Sequence, residues 1–286
     1  MKHPKFFLCI AVLSIISCQQ KASKEETAAV PTDTTTKVTE TKTESARPVH
    51  WGYEGDNGPQ GWATLTPVYA LCGSGKSQSP VNLVTNAAKG SLVWKIDYKS
   101  TALQIGHNEH VEELINNGHT IQVTPQEGST LSLAGRIYHL KQFHFHTPSE
   151  HTLNGKNMPM EMHLVHQSDD KNLAVIGVLV KEGKHNSNFD QLIKYLPNAP
   201  GEKKTHDSVN IDIRVHFPAD FYAYHYIGSL TTPPCTENVQ WLVLRDQMTL
   251  SKDQVNAFAS RIKKNNRSTQ QLNERKVTMD DIAAKQ

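Results

Sequence analysis

The sequence predicts a mainly β domain with peripheral helices. Three observations predict it. Short runs rich in β-branched and aromatic residues recur from about residue 91 onward, each broken by Gly, Pro or Asn. One of them, Leu173-Ala174-Val175-Ile176-Gly177-Val178-Leu179-Val180, is apolar throughout, the pattern of a strand covered on both faces. Only two stretches carry a helical stripe.

Taken in order, residues 1–18 form a targeting segment. Lys2 and Lys5 precede an apolar stretch, Phe6–Ile16, that is too short to span a bilayer. It ends in Ile15-Ile16-Ser17-Cys18, which resembles a bacterial lipobox; Cys18 would then be lipidated, and a plain secretory signal is the alternative. Gln19 lacks the charge associated with inner-membrane retention, so the expected location is the periplasmic side of the outer membrane. Residues 19–47 are rich in Thr, Lys, Glu and Ala and hold no aromatic residue. Such a segment buries too little apolar surface to offset its ordering entropy, so a disordered tether is expected.

The folded domain, 48–286, is expected to carry strands at Ser91–Tyr98, Leu103–Ile105, Val111–Ile115, Thr120–Val123, Thr130–Leu133, Tyr138–His146, Met160–Gln167, Leu173–Lys181, Asp207–Val209 with Ile211–Ile213, Phe221–Ile227 and Val239–Leu244. Asn116-Asn117-Gly118 and Asn154-Gly155 are turn signals. Phe189, Leu192, Ile193 and Leu196 follow helical spacing after Ser187 or Asn188, and Val255, Phe258, Ala259 and Ile262 follow it after Ser251. A net charge of +2 gives no reason to expect nucleic acid.

The most informative feature is Gln142-Phe143-His144-Phe145-His146 with Glu161-Met162-His163. Strand side chains alternate faces, so His144 and His146 point one way and Phe143 and Phe145 the other. An antiparallel neighbour would bring His163 beside the pair. Three neutral imidazoles with one open position are the ligand set of a catalytic zinc. Gln142 and Glu161, each two residues before a histidine, share that face and can accept from a ring N–H that does not bind metal. Most of the 15 histidines must be surface or hydrogen-bonded residues, so the pattern rather than the residue type carries the inference. Of four cysteines, Cys9 and Cys18 lie in the targeting segment. Cys72 and Cys235 remain, and an exported chain meets an oxidising compartment where two such residues are expected to pair; spacing alone does not establish that they meet.

At this point the chain is similar to a known family. Residues from about 50 to 276 resemble the α-class carbonic anhydrases. The resemblance is carried by His50-Trp51-Gly52-Tyr53, Ser77-Gln78-Ser79-Pro80-Val81, Asn116-Asn117-Gly118-His119, the two histidine segments with His166, Ser149-Glu150-His151, Gly228 to Cys235, and Val239-Gln240-Trp241. It implies a large, mostly antiparallel twisted central sheet and the reversible hydration of carbon dioxide to bicarbonate and a proton by attack of zinc-bound hydroxide. It implies Zn2+ on His144, His146 and His163, with Gln142 and Glu161 behind them. Thr231 resembles the residue that accepts from the hydroxide, Glu150 the carboxylate that receives the threonine's proton, and His119 the proton shuttle. Val165, Val175, Leu230, Thr232, Val239 and Trp241 resemble the substrate pocket, and Cys72 with Cys235 a family disulfide.

Thr147-Pro148 departs from the family's usual Trp-Gly, and the loop to Glu150 is short. The expected partner is a small molecule, with membrane contact only through the N-terminal anchor, in a monomer or dimer. Two rival readings are a cupin-type metal enzyme using His144, His146 and Glu150, and a carbonic-anhydrase-like binding module without catalysis.

Overall fold

A computed structural model describes residues 49–108, 119–217 and 222–280. The targeting segment with Cys18, the tether, the expected strand Val111–Ile115 and the Asn116-Asn117-Gly118 turn lie outside the described residues.

The expected β-rich runs become strands. Two short ones, β1 (Asn82–Leu83) and β2 (Ala88–Lys89), come first. They are followed by β3 (Trp94–Asp97), β4 (Ser100–Asn108), β5 (Thr120–Val123), β6 (Thr130–Leu133) and β7 (Arg136–His146). Next are β8 (Thr152–Leu153), β9 (Lys156–Asn157), β10 (Met160–Gln167), β11 (Leu173–Glu182) and β12 (Lys203–Asp212). The last are β13 (Ala223–Ser229), β14 (Glu237–Leu244), β15 (Met248–Leu250) and β16 (Thr278–Asp280). Asn154 and Gly155 both have positive φ, 50° and 79°, and turn β8 into β9 as the dipeptide predicts. The three-residue strands β15 and β16 escape sequence reading because they are too short to show a period.

Thirteen strands form one sheet in the order β12-β4-β5-β7-β10-β11-β14-β13-β16-β2, with β15 beside β11 and β6 joining β3 to β7. Most pairings are antiparallel, but the sheet is mixed: β11 runs parallel to β14 and β15, and β16 parallel to β2. The reason is topological. β14 leaves β13 as its antiparallel partner, so its direction is already set when it docks beside β11. A parallel neighbour needs a long crossover, and the segment between β11 and β14, which contains β12, supplies it. The continuously apolar run falls on β11, which is buried from Ala174 to Val180.

Alternation divides the core in two. Phe143 and Phe145 of β7, Met160, Met162 and Leu164 of β10, and Ile176 and Val178 of β11 pack on one face, where helix α4 (Lys252–Ile262) covers them through Val255, Phe258 and Ile262. The opposite face carries Val165, Val175, Val239, Trp241 and Val243. α4 starts at the expected cap: Ser251 Oγ accepts from Gln254 N, and Gln254 Oε1 accepts from Ser251 N. The other expected helix is shorter, a 3-10 turn at Ser187–Phe189 leading into α3 (Asp190–Lys194). Two short helices precede β1, α1 (Trp62–Leu65) and α2 (Leu71–Ser74); each is four residues long and has no side-chain cap.

Cys72 and Cys235 are bonded, with S–S 2.06 Å, and join a buried cluster with Trp51, Trp62 and Tyr69. The bond spans 163 residues, which in the chain-entropy account is worth about 5 kcal/mol. Replacing both cysteines by serine is expected to lower Tm by on the order of 10 °C in calorimetry; an unchanged Tm would show that the crosslink contributes nothing to stability.

Candidate metal centre

The β7–β10 register builds the site. His163 stands directly opposite His144, and Glu161 opposite His146. All four side chains therefore leave the sheet on one face, away from Phe143 and Phe145. The three imidazoles are buried, and one nitrogen from each lies within 4.8 Å of the other two. Ring centroids are 5.1 Å apart for His144 and His146, 5.2 Å for His144 and His163, and 4.5 Å for His146 and His163.

Outer contacts decide which nitrogens converge. His144 Nδ1 donates to Gln142 Oε1 at 2.7 Å. His146 Nδ1 donates to the Asn265 carbonyl at 2.7 Å. His163 Nε2 is 2.9 Å from Glu161 Oε1. An amide oxygen, a carbonyl and an ionised carboxylate only accept, so the ring protons lie on those nitrogens. The lone pairs are then on Nε2 of His144, Nε2 of His146 and Nδ1 of His163. Burial, reinforced by the neighbouring His163, pushes His146 down to about 3. Burial also lowers His163, against the pull of Glu161. Neutral imidazoles are what a metal requires. Three neutral nitrogens with outer-shell acceptors fit a tetrahedral zinc that keeps one open corner.

Glu161 is buried, and burial by itself would raise its carboxyl. The imidazoles of His151 and His163 outweigh that and hold it well below the usual range. Its Oε2 accepts from the backbone N–H groups of Glu150 and His151, both at 2.9 Å, and its Oε1 from His151 Nδ1 at 2.7 Å. Gly177, opposite His163 on β11, leaves room for this carboxylate. A Cβ there would stand 3.0 Å from Glu161 Oε1 and 3.2 Å from Val243.

Glu150 is fully buried, with Oε2 3.5 Å from His146 Nε2 and 3.9 Å from His163 Nδ1. Its Oε1 accepts from Arg267 N at 2.9 Å. Burial pushes it up to about 8, opposed by that bond, by a hydrogen bond with the Thr231 side chain and by the Arg267 charge. A dication among the imidazoles would pull it back toward ionisation. Thr231 lines a cavity with His144, His163, Val165, Val175, Leu230, Thr232 and Trp241. Val239, expected there too, does not line that cavity; it packs in the apolar cluster with Trp241.

His119 is half-buried and lines a different cavity. Its ring packs 4.6 Å from Trp51, 5.3 Å from Tyr53 and 6.3 Å from His50. The unusual Thr147-Pro148 link is tied down from outside the loop: Thr147 N donates to Asn265 Oδ1 at 2.8 Å and Thr147 Oγ1 to Lys263 O at 2.6 Å. These ties hold the chain immediately after His146.

Several residues at this site receive no role from the sequence, though Ser79, His151, His166 and Ser229 lie in segments that carry the resemblance. Asn265 holds His146 through its carbonyl, while its Nδ2 donates to the carbonyls of His119 and Phe145, both at 2.9 Å. His151, which sequence reading leaves with the ordinary histidines, links Glu161 to the Tyr226 hydroxyl at 2.7 Å, and that hydroxyl meets Ser79 Oγ at 2.9 Å. Ser79 Oγ in turn accepts from Ser229 N, two residues before Thr231. His166, also left there, is buried and meets the Tyr98 hydroxyl at 2.6 Å.

The family model for eukaryotic-type carbonic anhydrase matches residues 57–281. A carbonic anhydrase of Neisseria gonorrhoeae is 40% identical over 230 residues, covering 80% of this chain and 87% of that protein. One from Pectobacterium atrosepticum is 39% identical over 228 residues, covering 79% of this chain and 89% of that protein. The solved α-carbonic anhydrase of Thermovibrio ammonificans, in complex with the inhibitor sulfanilamide, superposes with a TM-score of 0.75 at 39% identity, covering 81% of this chain and all of that one.

Glu161→Gln keeps the shape but removes the charge behind His163. Zinc affinity, measured by competition with a chromophoric chelator, is expected to fall about 10- to 100-fold. Unchanged affinity would show that Glu161 does not support the ligand.

Proposed function

The chain belongs to the eukaryotic-type (α) carbonic anhydrase family, and from that premise we propose that it hydrates carbon dioxide reversibly at a zinc ion held by His144, His146 and His163. The observation that carries the reading is the convergence of three buried, neutral imidazoles, each turned by an acceptor behind it. Zinc there would supply Lewis acidity that brings the pKa of water from about 15.7 to about 7, a figure that comes from carbonic anhydrases themselves.

Every other task falls to the chain. Ionised Glu150 can only accept, so it takes the Thr231 Oγ1 proton. Thr231 Oγ1 is left as an acceptor. It favours an attacking oxygen that still carries a proton, and it aims that oxygen. Carbon dioxide is apolar and has no hydrogen to donate. Val165, Val175, Leu230 and Trp241 hold it by contact alone, which suits rapid exchange. The proton released must reach buffer. An imidazole can take it on one nitrogen and pass it on, and this is the role of His119.

The cupin reading does not fit an open sheet whose strand order ends at β12 and β2 rather than closing on itself. A binding module without catalysis has no need of the complete set of His144, His146, His163, Thr231 and Glu150.

Purified protein with zinc should hydrate carbon dioxide in stopped-flow assays, and chelation or His163→Ala should abolish the activity. Activity surviving both would refute the ligand assignment. Thr231→Ala should lower the rate on the order of 100-fold. His119→Ala should slow turnover by one to two orders of magnitude in weak buffer and recover with added imidazole; equal loss at every buffer strength would remove the shuttle role.

The leader is part of the same proposal. An oxidising destination agrees with the Cys72–Cys235 bond. Among the described residues no helix is long and apolar enough to cross a membrane, so attachment would rest on Cys18. Cys18→Ser is expected to move the protein from the membrane to the soluble fraction of expressing bacteria; retention in the membrane would sink the anchor.

A further inference from the structure

The cavity against His119 has a charge character that the chemistry above does not use. One wall is His50 and His119; the other is the end of α4, with Arg261, Lys263 and Lys264. Among the described residues, Glu54 is the one carboxylate on this lining, set against those three cations. Arg261 is held in place, Nη1 donating to Ala257 O at 2.7 Å and Nη2 to Asn198 Oδ1 at 3.3 Å. Lys263 and Lys264 are exposed, and among the described residues neither is paired with a carboxylate.

The backbone at this point is unusual. Lys263 has φ 51°, a region that residues other than glycine seldom occupy. Lys263 N donates to Ala259 O at 3.0 Å, and Lys263 O accepts from Thr147 Oγ1 at 2.6 Å. Non-glycine residues held this way concentrate at functional sites. Here the conformation ends the helix at two adjacent lysines, which line the cavity with His119 and also border a second one beside Thr147 and Pro148.

We propose that this cavity binds a small oxyanion of the phosphate class, and that this anion is the acceptor to which His119 delivers its proton. The inference rests on the reading of His119 as shuttle. The step balances simply. The imidazolium N–H breaks, an O–H forms on hydrogenphosphate, and neutral imidazole and dihydrogenphosphate remain. A field of like-signed charges in a cleft raises the local concentration of the opposite ion and so the rate of encounter. Loss of one negative charge on protonation weakens the hold, and the product leaves. That release requires a free anion rather than a headgroup fixed in a bilayer.

The test uses the zinc-loaded full chain in lipid-free solution at fixed ionic strength, with phosphate or imidazole as sole buffer near neutral pH. The half-saturating concentration of phosphate is expected to be about three- to tenfold below that of imidazole. The double substitution Lys263→Gln/Lys264→Gln should raise the phosphate value to that of imidazole and leave the imidazole value unchanged. Independently, phosphate should shift the His119 and His50 ring signals in nitrogen-15 NMR of the parent chain and not of the double variant. Equal half-saturation in the parent, or ring shifts that survive the double substitution, would overturn the proposal. His119→Ala separates the two layers. If it fails to slow turnover in weak buffer, the shuttle reading falls. If it slows turnover but phosphate has no advantage over imidazole, only the cavity assignment falls.

Discussion

The pairing of β7 with β10 is the constraint on which the rest depends. Because side chains alternate along a strand, a slip of one residue would send His163 and Glu161 into the apolar face and Met162 into the ligand face. The register is therefore set by burial as much as by hydrogen bonds. Phe143 and Phe145 on one strand, and Met160, Met162 and Leu164 on the other, all require the same covered face under α4. Large apolar side chains on that face keep the polar trio aligned on its opposite side. At about 1.5–3 kcal/mol for each buried apolar side chain, the wrong register would forfeit far more than the polar groups could regain.

Polar groups on the ligand face survive burial because each is answered. Glu161 takes two backbone N–H groups and the imidazoles of His151 and His163, which is how an ionised carboxylate can stay inside a sheet. Arg267 shows the same logic at larger scale. It is almost wholly buried, yet its guanidinium donates to Gln78 Oε1, Ser79 O and Cys72 O while its backbone N–H holds Glu150. The disulfide cluster and the buried Glu150 thus share one cation.

How much of this was legible follows from sequence distance. Period-two patterns reveal strands and faces, so the convergence of the three histidines with Gln142 and Glu161 could be read from two segments, and the apolar run of β11 announced its central place. Ser251 and Gln254 announced α4. What could not be read depends on contacts far along the chain. Asn265 lies 119 residues from His146 and Arg267 lies 117 from Glu150, with no motif around either. His151 looked like any histidine until the fold placed it between Glu161 and Tyr226. The parallel neighbours of β11 were likewise hidden, because strand direction is set by the route of the connection and not by residue pattern. Thr147-Pro148 departed from the family's pattern, and its anchoring to Lys263 and Asn265 explains why the neighbouring ligand keeps its place.

Asn265 has a wider consequence. One residue orients His146 through its carbonyl and fastens the backbone of His119 through its amide. Two histidines with different proposed roles thereby share one anchor. The two contacts use different parts of the residue: the carbonyl behind His146 belongs to the main chain and is offered by any amino acid, whereas the ties to His119, Phe145 and Thr147 need the asparagine amide, so exchange of the side chain at position 265 would loosen those backbones and spare the acceptor.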